Sequence, residues 1–385
     1  MPRKTEPPEA AGEAVSVQFT CIKTSKETSV RIKKTGLASA LLLIAGGANA
    51  GSWGDEPAGT SLTLSGTIDL SLQYLKNSGE DVSNTDMASG VMSSSRLEFS
   101  GSEDLGGGGR AYFTVQPQFD ASTGEGKETF RHSYLGVKGG WGDLTLGRQD
   151  TPSSFVTGYA DPNFGSEYSV MNNMQFFYAP YRVGNAIQYH SPDVAGFSGR
   201  LMYAFGEQGN TKAGHFMSAA LEYYSHPLYV GFASEHSYNR DIGNPSDLRG
   251  SQDNYLSVVY GFDNGLEPTF MFHTYDGYYA YAPYVGFDAS GWDVQLGVRW
   301  DLDGRNRVHA SYVHRNDDDN TDVGTANGVT LGYLYGLSKR TDLYVNCSYV
   351  NNDENVSVPY PVTWSTTPLQ GQSPMAAAVG MRHTF

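Results

Sequence analysis

Two cysteines in 385 residues leave no room for a disulfide scaffold or a paired CxxC zinc module. Cations are scarce as well. The 26 Lys+Arg stand against 41 Asp+Glu, a formal net charge of −15. That balance excludes a nucleic-acid binder, because neutralising phosphates takes clustered Lys and Arg. The nine histidines are scattered, with no His or Cys cluster at ligand spacing, so no metal site is expected. No GxSxG or HExxH occurs, which removes the usual sequence signs of a serine or zinc hydrolase. Nothing points to a cofactor. After residue 50 no helical period of 3.6 runs for a useful length, and no apolar run approaches the ~20 residues of a membrane-crossing helix.

What the chain does have is glycine and aromatic residues, 46 Gly, 26 Tyr and 18 Phe, a composition that suits many pleated strands. Alternation confirms it. Leu62, Leu64, Ile68, Leu70, Leu72 and Tyr74 share one parity, while Ser61, Thr63, Thr67, Asp69, Ser71 and Gln73 share the other. Successive strand side chains point to opposite faces, so the segment has one oily and one polar face. Trp292, Val294, Leu296, Val298, Trp300 and Leu302 repeat the pattern against Asp293, Gln295, Arg299 and Asp301. We read sixteen such strands between 61 and 385, each near the length that crosses a bilayer at a tilt. Tight turns, such as Asp263-Asn-Gly265 and Leu302-Asp-Gly-Arg305, alternate with long links at 77–92, 150–180, 239–250, 277–290, 317–327 and 352–373. Short turns at one end and long loops at the other are the pattern of an outer-membrane barrel.

Which face meets lipid follows from charge. A dry core would have to hold Asp69, Arg96, Glu98, Asp293, Arg299 and Asp301 at several kcal/mol each if unpaired. A wet lumen holds them at little cost. The oily face is therefore expected outside, and closure leaves no strand edge in the bilayer. The expected fold is an all-β, 16-stranded antiparallel transmembrane β-barrel.

The two ends of the chain fit export and insertion. Arg31-Ile-Lys-Lys34, the apolar run from Leu37 to Ala45 and Ala48-Asn-Ala50 follow the order of a secretory signal peptide. Residues 30–50 are expected to be that signal, 1–29 an artefact of a start assigned upstream of Val30, and 51–385 the mature barrel. Peptides from Pro2 to Ser29 in the native host would contradict the artefact. Cleavage would leave Cys347 alone, so no internal disulfide can form. The last strand ends on Phe385, in phase with His383, Met381, Val379 and Ala377, an aromatic terminus of the kind that addresses chains for outer-membrane insertion.

Several motifs in order resemble the Gram-negative trimeric general diffusion porins. Ser94-Ser-Arg-Leu-Glu-Phe-Ser-Gly-Ser-Glu-Asp-Leu-Gly106 resembles that family's second strand and first periplasmic turn. Arg131-His-Ser-Tyr-Leu-Gly-Val-Lys138 with Leu144-Thr-Leu-Gly-Arg-Gln149 resembles the fourth and fifth strands. Asn185-Ala-Ile-Gln-Tyr-His-Ser-Pro192, Leu337-Ser-Lys-Arg-Thr-Asp-Leu-Tyr344 and Gly380-Met-Arg-His-Thr-Phe385 extend the likeness along the mature chain. The resemblance implies a homotrimer in the Gram-negative outer membrane, surrounded by its lipid and lipopolysaccharide. It also implies an inward-folded constriction loop, here 150–180. On that loop Asp161-Pro-Asn-Phe-Gly165 resembles the family's acidic turn, with Asn163 where a glutamate is expected; Asp161 and Glu167 would supply the negative charge. Opposite it, the resemblance implies a wall of arginines at Arg96, Arg131 and Arg182, all on the polar parity. Arg148 shares phase with Leu144 and Leu146 and faces inward only if its strand has broken at Gly147. Thr67 stands where the family has a further basic residue.

The function implied is passive diffusion of small hydrophilic solutes and ions through a wet aperture. Wall arginines favour anions there, while Asp317-Asp-Asp319, Asp322 and Asp353-Glu354 in the outer loops favour cations and tip the balance towards them. A substrate-specific porin is the alternative, with Tyr159 and Tyr278-Tyr-Ala-Tyr281 as an aromatic track. A barrel enzyme is a more distant one, and no Ser/His/acid set supports it.

Overall fold

The computed structural model describes residues 60–385 except 79–82, 128, 164, 175–179, 207–212, 241–246, 282–284, 319–323, 354–358, 364–367 and 369–370. The pre-sequence expected over 1–50 lies outside the described residues.

Seventeen strand segments form one antiparallel sheet that closes on itself. They are β1 (Ser61–Asn77), β2 (Ser83–Ser89), β3 (Arg96–Gly106), β4 (Gly109–Gln116), β5 (His132–Gly139), β6 (Gly142–Asp150), β7 (Arg182–His190), β8 (Phe197–Ala204) and β9 (Phe216–Ser225). The second half comprises β10 (Leu228–Arg240), β11 (Leu248–Tyr260), β12 (Leu266–Tyr281), β13 (Val285–Asp301), β14 (Asn306–Asp317), β15 (Ala326–Gly336), β16 (Thr341–Asn352) and β17 (Pro374–Thr384). β1 pairs with β3 over Ser61–Thr67 and with β2 over Leu70–Lys76, so β2 and β3 share one position and the barrel has sixteen. β17 closes it, with Thr67 opposite Thr384 and Asn77 opposite Pro374. At the seam, Gly66 and Phe385 exchange both backbone hydrogen bonds at 3.1 Å. A Cβ on Gly66 would sit 2.6 Å from the Phe385 ring, so the terminal aromatic needs a glycine opposite.

The faces divide as the alternation predicts. On β1, Thr67, Asp69, Ser71 and Gln73 are buried inside while Leu72 is 57% exposed; on β13, Asp293 and Gln295 are buried and Leu296 is 57% exposed. Exposed apolar side chains on the outside of a closed barrel are what a lipid-facing surface requires.

Two expected long links turn out to be largely strand. Over 77–92 the polar run Ser83–Ser89 pairs with β1 although it lacks clean alternation. Between β2 and β3 the chain then leaves the sheet at Gly90 (φ 91°). The N–H groups of Met92 and Ser93 donate to Asp69 Oδ2 at 2.9 and 2.8 Å, which fixes Gly90–Ser95 as an inward turn. Over 277–290, β12 and β13 simply run on, with Tyr278 opposite Asp288 and Tyr279 opposite Phe287. Gly277, which reads as a strand breaker, instead adopts φ 123° within β12.

Candidate functional site

Segment 151–174 carries the only two helices among the described residues, α1 (Pro152–Ala160) and α2 (Val170–Met174). Thr151 caps α1, its Oγ1 accepting from Ser154 N–H, and Pro152 opens the helix where a missing N–H costs nothing. The segment is held by side chains of the polar barrel face. Gln295 of β13 donates to the Ala160 carbonyl at 3.1 Å, and Thr330 of β15 to the Tyr168 carbonyl at 2.7 Å. The Tyr168 hydroxyl donates to Gln73 of β1 at 3.1 Å. Its own backbone meets the inward turn, Glu167 N–H donating to the Val91 carbonyl at 2.9 Å.

Next to this segment lies a cavity of about 690 Å³. Lys127, Arg131, Arg148 and Arg182 line it together with Asp86, Asp120 and Glu167. Three of the four expected arginines are thus brought together, and Glu167 joins them from the segment. Arg131 lies just ahead of β5, where its Nε donates to Gln116 Oε1 at 3.0 Å and its Nη1 to Ser94 Oγ at 3.1 Å. Arg182 opens β7 and pairs with Asp150 at 2.6 Å; His132 meets the same carboxylate at 3.0 Å. Arg148 reaches the cavity at a ladder irregularity. Gly147 faces Ala186 but Gln149 faces Val183, so one extra residue is absorbed on β7, with Gly147 at φ 132° and Asn185 at φ 52°. There Arg148 Nε donates to the Phe130 carbonyl at 2.8 Å.

The remaining expected residues lie elsewhere. Arg96 sits at the foot of the inward turn, donating to Ser93 Oγ at 2.8 Å and the Ser94 carbonyl at 2.9 Å. Asp161 is wholly buried rather than on the cavity surface, and accepts from the N–H groups of Asn163 at 2.9 Å and Gly165 at 2.6 Å. Burial pushes its carboxyl up, and those N–H groups pull the other way. Asn163 is buried too and donates to Ser311 of β14 at 3.0 Å, so it anchors the segment's turn to the wall. Tyr159, on the far side of α1, stacks on Tyr229 with ring centroids 4.0 Å apart. Burial holds its hydroxyl up at about 12. Of the outer acid run, Asp317 is buried and accepts from Gly324 N–H at 3.0 Å. Lys127, Asp86, Asp120 and the inward turn escaped the sequence reading. The one signal was Gly90, at the end of the expected link 77–92, followed by Ser93-Ser-Ser95 where a strand was expected to begin.

Lined by cations and carboxylates, this cavity can bind or pass ions in water. Among the described residues no set of three His, Cys, Asp or Glu side chains could hold a metal ion. A family model described as Gram-negative porin matches residues 37–355. Outer membrane porin protein 32 of Delftia acidovorans is 25% identical over 371 residues, covering 92% of this chain and 100% of that one. An anion-selective porin from Comamonas acidovorans superposes with a TM-score of 0.74 at 23% identity, over 85% of this chain and 100% of that one. OmpT of Vibrio cholerae, in a trimer form, gives a TM-score of 0.60 at 15% identity over 85% of this chain and 100% of that one.

Proposed function

This chain belongs to the Gram-negative porin family and is an outer-membrane β-barrel, and from that premise we propose that it conducts small hydrophilic solutes and ions by passive diffusion. The observation that carries the reading is the cavity in which Arg131, Arg148 and Arg182 meet Glu167. Segment 150–180 acts as the constriction, and these arginines with Lys127 form the basic side of the aperture. Unit charges ~4 Å apart interact by roughly 4 kcal/mol near a protein surface against about 1 in bulk water. A narrow wet gap with cations on one wall and carboxylates on the other therefore orders water and selects solutes by size, dipole and charge. Arg96 contributes indirectly, by holding the inward turn from which Ser94 supports Arg131. Asp318 and Asp353 at the strand ends draw cations towards the mouth. The trimer form of OmpT supports a homotrimer here as well.

Refolded mature protein in a planar bilayer tests the reading. Conductance steps in threes, with a reversal potential that responds to a salt gradient, are expected. Small saturable steps blocked by one solute would replace it with a substrate-specific channel, and no conductance would overturn it.

A further inference from the structure

We propose that a buried row of charged side chains on five neighbouring strands is a latch that holds both helices of segment 150–180 and so sets the aperture. The row is Glu235 on β10, Asp253 on β11, His273 on β12, Asp293 on β13 and Arg315 on β14, and the proposal rests on reading that segment as the constriction.

The sheet register brings the five together. Glu235 lies opposite Asp253, His273 opposite Asp293, and Asp293 opposite Arg315. The contacts fall in two stretches, with the opposed carboxylates of Glu235 and Asp253 between them. Ser153, in the first turn of α1, donates to Glu235. His273 meets Asp253 through Nε2 at 3.0 Å and Asp293 through Nδ1 at 2.8 Å. Arg315 Nη1 donates to Asp293 Oδ2 at 3.2 Å and to the carbonyl of Met174, the last residue of α2, at 2.6 Å. Both helices thus end on one row.

Two features make the row specific. Neutral imidazole has one donor and one acceptor, yet both nitrogens of His273 face carboxylate oxygens, so a proton lies on each contact. From Asp253 to Arg315 the row then alternates acceptor and donor, and each partner's position depends on the next. The surroundings lock it: the Tyr255 ring lies parallel to His273 at 4.3 Å, and the Tyr279 hydroxyl donates to Asp253 at 3.2 Å. Arg315 is 1% exposed and Asp293 0%. Buried ion pairs are a poor source of stability compared with apolar packing, so a run of them is better explained by what it positions. Here that is two helix ends 21 positions apart, Ser153 and Met174, which nothing in local sequence would keep in step.

The test compares wild type with Arg315→Met and with the double variant Asp293→Asn/Arg315→Met, which removes the Asp293 carboxylate together with the arginine that pairs with it. Heat-modifiable mobility on a detergent gel reports whether each barrel has folded. Folded variants are expected to conduct more, by roughly a half, with noisier open states and a larger cutoff for neutral sugars. Wild-type conductance and cutoff in either folded variant would overturn the latch. If neither refolds, His273→Gln, which keeps a donor for one aspartate, is judged by the same readouts. Glu167→Gln run alongside separates the two readings. A shifted reversal potential there, with a silent double variant, refutes the latch alone. Silence in both refutes the constriction and the latch with it.

Discussion

Arg131 donates from Nη1 to Ser94 Oγ at 3.1 Å, across 37 positions of sequence. A cavity arginine is thereby fixed by the turn that interrupts β2 and β3, and Arg96 holds the same turn through Ser93 and Ser94. The two arginines therefore have different expected phenotypes.

Arg131→Gln removes a charge from the cavity. Its reversal potential in a salt gradient should move towards cations, and the same should follow for Arg148→Gln, whose side chain lines the same space. Arg96→Gln should move it less, because that guanidinium serves the turn. Equal shifts for all three would show that the turn and the cavity are one electrostatic unit.

On the opposite side, Glu167→Gln should move selectivity towards anions, while Asp161→Asn leaves it near wild type. Glu167 lines the cavity, whereas the Asp161 carboxylate is spent on the N–H groups of Asn163 and Gly165 inside the segment's turn. The reverse order of effects would mean that the turn opens in the membrane.

Acidification should raise anion preference in two stages. Although burial opposes it, hydrogen bonds from the Ser122 hydroxyl and from the N–H groups of Ser122 and Thr123 hold the Asp120 carboxyl below the usual range. Ordinary carboxylates are neutralised near pH ~4, so Asp120 keeps its charge below that point. The turn it organises keeps that contribution above the unfolded value and loses it as pH falls through the lowered one. Reversal potentials taken from pH about 6 down to about 3 should show a late step that Asp120→Asn abolishes. An unchanged profile in the variant would assign the step to another group.

Gly147→Ala should cost stability as well as selectivity. A Cβ there would lie 2.2 Å from the Ser133 carbonyl, at a φ of 132° that side chains rarely adopt. The expected loss is about 1–3 kcal/mol, read as a lower urea midpoint for unfolding from lipid vesicles. Conductance should change too, because Arg148 follows directly.

Much of the barrel was legible because lipid outside and water inside impose the same two-residue rhythm on every strand. Leu64, Leu72, Leu296 and Val379 fell on the outer face for that reason. Ser83–Ser89 escaped because polar residues fall on both parities, Asn84 and Asp86 on one and Ser83, Thr85 and Ser89 on the other. Parity put Arg96, Arg131 and Arg182 on the polar face and made Arg148 depend on a break at Gly147; the slip that supplies it falls on β7, which leaves no trace in β6. The loop side was hardest. Asp161, Asn163 and Glu167 lie within seven positions and look alike as polar loop residues, and tertiary contacts to β14 and to Val91 decide which of them meets water.

The central claim is that Glu167 and the arginines flank the narrowest wet passage. The most direct measurement is single-channel conductance of Glu167→Cys, in a background with Cys347→Ser, before and after labelling with a bulky cationic thiol reagent. The account predicts that labelling cuts the conductance of every open channel and moves the reversal potential towards anions. Conductance and reversal potential unchanged by complete labelling would contradict it.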